Sequence, residues 1–284
     1  MMSDEMPVFG IYEKAVRPQS FEDMFRDARK AGYQSFELSI DASNGRLKRL
    51  FWGKKEAAEV WQAALRQDMK ILTMCLSGHK RFPLGSSDPE ITSAGMKIME
   101  KALELGGRLG IRIIQLSGFD VYDQEERTEE TRKRYVDNVF RASRMAERAC
   151  VMLAIEPVEG NLLAVRDTME VVRKIDSHCL QIYPDVANIN SLGIDPIQEL
   201  PCGKGHIAAV HMRDSLPGIY DATIPFGSGY LDFDGVFRKL DEIGFCGPLV
   251  VEMWNTERTE YMEWIRQARE YMETHIRKVR ESDV

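Results

Sequence analysis

Cysteine is scarce in this 284-residue chain: Cys75, Cys150, Cys179, Cys202 and Cys246 are odd in number, widely spaced and free of any C-x-x-C pair. That spacing argues against a disulfide framework or a zinc ribbon and predicts buried thiols in a reducing compartment. Long apolar runs are missing too. No stretch approaches about eighteen apolar residues, and the opening Met-Met-Ser-Asp-Glu-Met-Pro has neither a basic nor an apolar leader segment. A soluble, cytoplasmic protein with no membrane partner is therefore expected. Positive charge is in deficit, with 38 Lys and Arg against 45 Asp and Glu for a net charge of −7. Nucleic acid ordinarily demands a basic stripe, so no nucleic-acid partner is expected, whereas one small phosphate needs only a local cluster. No Gly-, Ser- or Pro-rich linker divides the chain, and residues 1–284 are read as a single domain.

What is present is a repeat of short apolar runs, each followed by a longer segment of helical periodicity. Eight such runs are predicted as strands: 8–15, 35–41, 71–78, 112–119, 152–159, 180–188, 207–214 and 248–254. Their starts lie 27 to 41 residues apart, room for a strand, a crossover helix and two loops. They are nearly continuous in apolar character, as parallel strands covered on both faces should be. Helix signals fill the intervals: Ser20 before Phe21 with a stop at Gly32, Asp88-Pro89 opening a helix to Leu109, Thr128 opening one to Ala149, and Asp232 opening one to Ile243. A last helix over 257–281 carries Tyr261, Trp264, Ile265, Ala268, Tyr271, Met272, His275 and Ile276 at spacings of three and four, a packing stripe. The first strand leads into Glu-Lys-Ala and not into G-x-G-x-x-G, so an open dinucleotide-binding sheet loses support. The class is α/β, and the architecture expected is a single (β/α)8 TIM barrel.

In a barrel of this kind the chemistry is carried at the C-terminal ends of the strands. The last four runs read Ala-Ile-Glu156, Tyr-Pro-Asp185, Ala-Val-His211 and Val-Val-Glu252. A lone acid at a strand end is often a helix cap and a lone His is usually a hydrogen-bonded core residue. Four ionisable groups in register on consecutive strands are a different matter: three carboxylates and one imidazole would repel one another without a cation and together suit a divalent metal. Carboxylates favour Mn or Mg and imidazole favours Zn or Co; Mn and Zn are the leading expectations for one bound ion.

Several longer motifs surround these residues: G-I-Y-E-K-A at 10–15, M-C-L-S-G-H-K-R-F-P-L-G-S at 74–86, I-Q-L-S-G-F-D-V-Y at 114–122, Y-P-D-V-A-N at 183–188, H-I-A-A-V-H-M-R-D at 206–214, P-F-G-S-G at 225–229 and C-G-P-L-V-V-E-M-W at 246–254. In these the chain resembles the L-ribulose-5-phosphate 3-epimerases (L-xylulose-5-phosphate 3-epimerases) of L-ascorbate and related pentose catabolism, within the xylose-isomerase-like barrel superfamily. The resemblance implies a metal held by Glu156, Asp185, His211 and Glu252, with Glu156 and Glu252 doubling as catalytic acid and base at carbon 3 of a ketopentose phosphate. Barrels of this kind commonly dimerise through outer helices, so a homodimer is among the expectations.

A phosphorylated substrate needs a cationic or amide-lined seat. Lys14 after the first strand and His79-Lys80-Arg81 after the third offer cations, and Gly227-Ser228-Gly229 after the seventh offers backbone amides. The same side chains also fit a solvated surface or internal ion pairs, and the glycine segment also fits a plain turn into the Asp232 cap. Tyr12, Phe82 and Trp254 could wall the pocket. Where free-ketose members of the superfamily often carry His three residues after the aspartate ligand and Arg six after the histidine ligand, this chain has Asn188 and Pro217. Asn188 is thus a candidate substrate contact in a different recognition scheme, and Glu159, a second acid just beyond Glu156, is left without a role. The competing readings are a hexulose-6-phosphate isomerase using the same chemistry one carbon away, a multi-metal endonuclease, which the five histidines and the negative charge disfavour, and a non-enzymatic sugar-phosphate sensor.

Overall fold

The structure, a computed structural model, describes residues 6–123, 125–158, 160, 162–255 and 259–282. Glu159 lies outside the described residues. Strands among those residues are β1 (Phe9–Tyr12), β2 (Ser35–Ser39), β3 (Lys70–Leu76), β4 (Ile113–Ser117), β5 (Met152–Glu156), β6 (Leu180–Ile182), β7 (Val210–Met212) and β8 (Leu249–Val251). The early helices are α1 (Phe21–Lys30), α2 (Asn44–Leu47), α3 (Lys54–Arg66), α4 (Pro89–Leu109) and α5 (Glu129–Ala149). They are followed by α6 (Val165–Ile175), α7 (Val186–Ser191), α8 (Pro196–Glu199), α9 (Phe233–Glu242) and α10 (Tyr261–Ser282).

Each of the eight apolar runs overlaps one strand, β3 starting one residue ahead of its run, and every strand is shorter than its run. The difference is largest at the sixth, where pairing stops at Ile182. Pro184 has no N–H to donate to a ladder, and Asp185 turns the chain by accepting from the amides of Ala187 and Asn188 at 2.8 and 2.9 Å as the N-cap of α7. Predicted caps recur elsewhere: Ser20 accepts from Asp23 N, Asp88 from Glu90 N with Pro89 at the first helical position, and Asp232 from Gly235 N. Thr128 and Thr131 close a reciprocal capping box on α5.

Two compact units share the chain, residues 1–37, 63–70 and 184–284 in one and 38–62 and 71–183 in the other. In the first, β1 pairs in parallel with β2 through residues 35–37 and with β8, and β8 pairs in parallel with β7. An isolated parallel bridge joins Asp185 to His211. The helices α9 and α10 of this unit pack through Phe233 and Tyr271, edge to face at 5.1 Å. The stripe read from the sequence is the buried face of α10 at Tyr261, Ile265, Ala268, Met272 and Ile276.

In the second unit β3, β4, β5 and β6 pair in parallel in that order. The register sets Ser117 beside Glu156, and Gly118 donates its amide to the Glu156 carbonyl at 2.8 Å. Closing β4 with glycine is required there, because a Cβ on Gly118 would stand 2.4 Å from that carbonyl oxygen. Strand burial is close to complete in both units, as their apolar continuity predicts. All five cysteines are free, but only Cys75 is buried, which corrects the expectation of buried thiols: Cys150 and Cys246 are exposed and follow the ends of α5 and α9. Among the described residues no helix is long and apolar enough to cross a membrane.

Candidate metal centre and its surroundings

Three of the four strand-end candidates meet inside the first unit. His211 lies on β7, Glu252 immediately follows β8, and Asp185 caps α7; all are buried. The imidazole of His211 is held from both sides, with Nε2 2.7 Å from Glu37 Oε2 and Nδ1 3.4 Å from Glu252 Oε2. A carboxylate accepts, so Nε2 carries the proton towards Glu37, and Nδ1 turns its lone pair towards the Glu252 oxygen. Two acceptors facing at that distance suit a shared cation better than a hydrogen bond. A carboxylate behind a ligating imidazole also fixes its tautomer and raises its basicity.

Asp185 is governed by a cation of the chain itself. Burial pushes its carboxyl up, but the Arg213 guanidinium and the Asn188 amide oppose that penalty, and the carboxyl is held below the usual carboxylate range. Arg213 Nε donates to Asp185 Oδ2 at 3.0 Å and lies 3.9 Å from Glu252 Oε2, with the guanidinium only 1% exposed. Burial alone would lower the Arg213 pKa, yet its acidic neighbours raise it further, so it stays charged.

Glu156 ends β5 in the second unit, buried, with Gln115 Nε2 2.5 Å from its Oε2. In the first unit Asp185, His211 and Glu252 each offer one ligand atom, and those atoms lie within 4.8 Å of one another. Two carboxylate oxygens and one imidazole nitrogen form a donor set that fits a divalent cation.

The other candidates divide. Tyr12, at the end of β1, is buried with its ring 6.3 Å from that of His211. Lys14, in the turn after β1, holds its Nζ 4.8 Å above the half-exposed Trp254 ring. Lys80 holds its Nζ 5.0 Å from the Tyr122 ring centre. Arg81 is exposed, donates to Asn44 Oδ1 at 2.7 Å and lies over Phe82. Asn188 is buried beside Arg213.

Two candidates have partners of their own. His79 is a core residue, 4% exposed, with Nε2 3.2 Å from the Gly95 carbonyl, and burial pushes its pKa down to about 4. The amides of the 227–229 segment are also committed: Gly227 N and Gly229 N both donate to Asp214 Oδ2 at 2.9 Å, and Ser228 N donates to the Pro225 carbonyl. Asp214 Oδ1 takes the amides of Ser215 and Leu231 as well. The chain's own carboxylate thus takes amides that were candidates for a phosphate. Glu37, Arg213, Gln115 and Asp214 were not singled out from the sequence, where each is an ordinary polar residue; Arg213 alone had a usable signal, its place two residues beyond His211.

Comparison with known proteins follows the same lines. The family model described as xylose isomerase-like TIM barrel matches residues 25–275. An Escherichia coli (strain SMS-3-5 / SECEC) protein, L-ribulose-5-phosphate 3-epimerase UlaE, is 36% identical over 280 residues, 98% of this chain and 98% of that protein. Its Salmonella typhi namesake is similar to the same extent. Among solved structures, one titled as L-ribulose 3-epimerase aligns with a TM-score of 0.79 at 18% identity, covering 98% of this chain and 97% of that one.

Proposed function

Because the chain belongs to the xylose isomerase-like TIM barrel family, we propose that it is a metal-dependent 3-epimerase interconverting L-ribulose 5-phosphate and L-xylulose 5-phosphate. Its fold is the (β/α)8 barrel of that family, and residues 1–284 are read as one domain. The observation that carries the reading is the buried group of Asp185, His211 and Glu252 in a chain similar to the epimerases from end to end; Glu156 is the fourth ligand of the proposal.

Those four residues would hold one divalent ion, Mn or Zn on the donor set, with Mg or Co as chemical alternatives. When bound, the ion supplies positive charge to the substrate's carbon 2 oxygen as negative charge develops there. The remaining work falls to the chain. One glutamate, Glu156 or Glu252, takes the carbon 3 proton: the C–H bond breaks, its electron pair enters the bond between carbons 2 and 3, and the carboxylate becomes a carboxylic acid. The other glutamate, protonated at the outset, returns a proton to the opposite face of carbon 3, so configuration inverts and the proton count closes. Burial favours the protonated form of a carboxylic acid. Reversal exchanges the two roles. Lys14 and Lys80 are the cations assigned to the phosphate, with Arg81 at the exposed margin and Tyr12 against the sugar; a homodimer is part of the same reading and is checked by light scattering.

The test is turnover of L-ribulose 5-phosphate in D2O followed by NMR. Deuterium should enter at carbon 3 as L-xylulose 5-phosphate accumulates, and Glu252→Gln should abolish both while leaving the circular dichroism spectrum unchanged. Conversion of a hexulose 6-phosphate without exchange at carbon 3 would replace this reading by an isomerase.

A further inference from the structure

Arg213 and Asn188 form a pair that the acid–base chemistry does not use. The guanidinium lies just beyond β7 and is buried among named partners: Nε on Asp185 Oδ2, Nη2 on Asn188 Oδ1, Nη1 3.4 Å from the Asp221 carbonyl, and the Tyr220 ring 4.8 Å from the guanidinium carbon. Guanidinium has donors and no acceptor, so the Asn188 atom that faces it must be the carbonyl oxygen. The orientation of this amide is therefore dictated by chemistry. Its nitrogen, Nδ2, is turned away from Arg213, buried, and without a hydrogen-bond partner among the described residues.

An unpaired buried N–H2 is costly, and in a native protein such a group is explained when a ligand or an ordered water supplies the acceptor. Asn188 also starts next to the metal centre. It is in the first turn of α7, so the residue is tied to the proposed ligand through its backbone amide, which donates to Asp185 Oδ1, and to Arg213 through its side-chain oxygen. A lysine at 213 would offer a single point of charge and could not hold Asp185 and Asn188 with one planar fork.

Resting on the epimerase reading, we infer that Arg213 is a positioning residue that locks Asn188 as a hydrogen-bond donor to an oxygen of the ketose phosphate. Specificity follows from the direction of that bond: the Asn188 amide nitrogen donates, so it selects a ligand with an acceptor oxygen opposite it. Asn188→Asp keeps the shape and the Arg213 contact but removes the donor.

The experiment compares wild type, Asn188→Asp, Asn188→Ala, Arg213→Lys and the Asn188→Ala/Arg213→Lys double variant with L-ribulose 5-phosphate, metal content being measured in each. Asn188→Asp should raise KM by about ten-fold or more, with kcat within about three-fold and metal content unchanged. Arg213→Lys should move KM in the same direction, and in the Asn188→Ala background it should cost little more, because both changes remove one interaction. Wild-type KM in Asn188→Asp, or losses that multiply in the double variant, would overturn the inference. A second readout is independent of turnover: in protein labelled with 15N-asparagine, L-ribulose 5-phosphate should move the Asn188 side-chain resonance in wild type and not in Arg213→Lys. A wild-type shift without turnover would sink the epimerase reading and leave this inference standing; turnover without the shift would do the reverse.

Discussion

Glu37 is the side chain whose loss tests the proposed metal centre most cleanly, because it sits behind a proposed ligand and not among them. Its Oε2 accepts from His211 Nε2 at 2.7 Å, which leaves Nδ1 as the lone-pair nitrogen. Glu37→Gln should lower Mn(II) affinity by about ten-fold or more, measured by titration, with the fold intact; unchanged affinity would remove Glu37 from any role in setting the tautomer. His79 gives a prediction of a different kind. Its folded pKa of about 4 lies below the ordinary 6.5, so between those values the unfolded chain binds a proton that the folded chain refuses. Stability contributed by the neutral ring is complete above about 6.5 and is lost as pH falls towards 4. The loss at pH 5 is about 2 kcal/mol, and His79→Gln should flatten the melting temperature against pH over that window. These two residues also mark the limits of the sequence. Asp185, His211 and Glu252 stand out because charge at the end of an apolar strand is costly and needs a reason. Glu37 sits in Phe-Glu-Leu-Ser like any strand acid, and its partner lies 174 residues away. His79 misleads because Lys80 and Arg81 beside it look like a basic cluster, whereas its ring turns inward.

At the scale of elements, the segment after β7 is fastened by one carboxylate. Asp214 accepts from Ser215, Gly227, Gly229 and Leu231, and a Cβ on Gly229 would fall 2.2 Å from Asp214 Oδ1 and 2.4 Å from the Ser215 carbonyl. Asp214→Ala should cost about 2–3 kcal/mol for the orphaned amides, and limited proteolysis should cut within 215–231 well before the rest of the chain. Uncut protein would show that the segment is held by other means. Gly118→Ala addresses β5 in the same way: with no space beside the Glu156 carbonyl, kcat should fall more than KM rises, because the displaced group is an acid–base candidate. Element boundaries were only partly legible. Apolar runs overshoot their strands because residues beyond the ladder are buried too, as at Ile40 and Tyr183. Helices α5 and α6 end at Cys150 and Asp176 in the left-handed conformation without the glycine that usually announces such an end.

For the molecule as a whole, the −7 charge includes Asp185 and Glu252, two acids that folding sets beside His211, so metal and stability should be linked. An ion that binds the folded chain at a hundred times its Kd adds about 2.7 kcal/mol, and chelation should lower the melting temperature by roughly 5–10 °C. Equal melting in EDTA and in Mn(II) would mean that the four groups do not act as a site. The repeat of eight runs was visible from end to end because it rests on hydrophobic period alone, whereas the hold of Asp214 on the amides of residues 227 and 229 was not, since backbone amides can be claimed by a distant carboxylate. One arrangement at the end of β8 has a practical meaning. The Trp254 indole is 38% exposed, with the Lys14 ammonium 4.8 Å from its centre and the Tyr220 ring edge-on at 6.5 Å. Excited indole responds to nearby charge, so an anion that neutralises Lys14 shifts the emission of this one ring. A phosphate seated at Lys14, as proposed, would therefore announce its arrival in the Trp254 emission, readable in a stopped-flow cuvette without label or coupled assay.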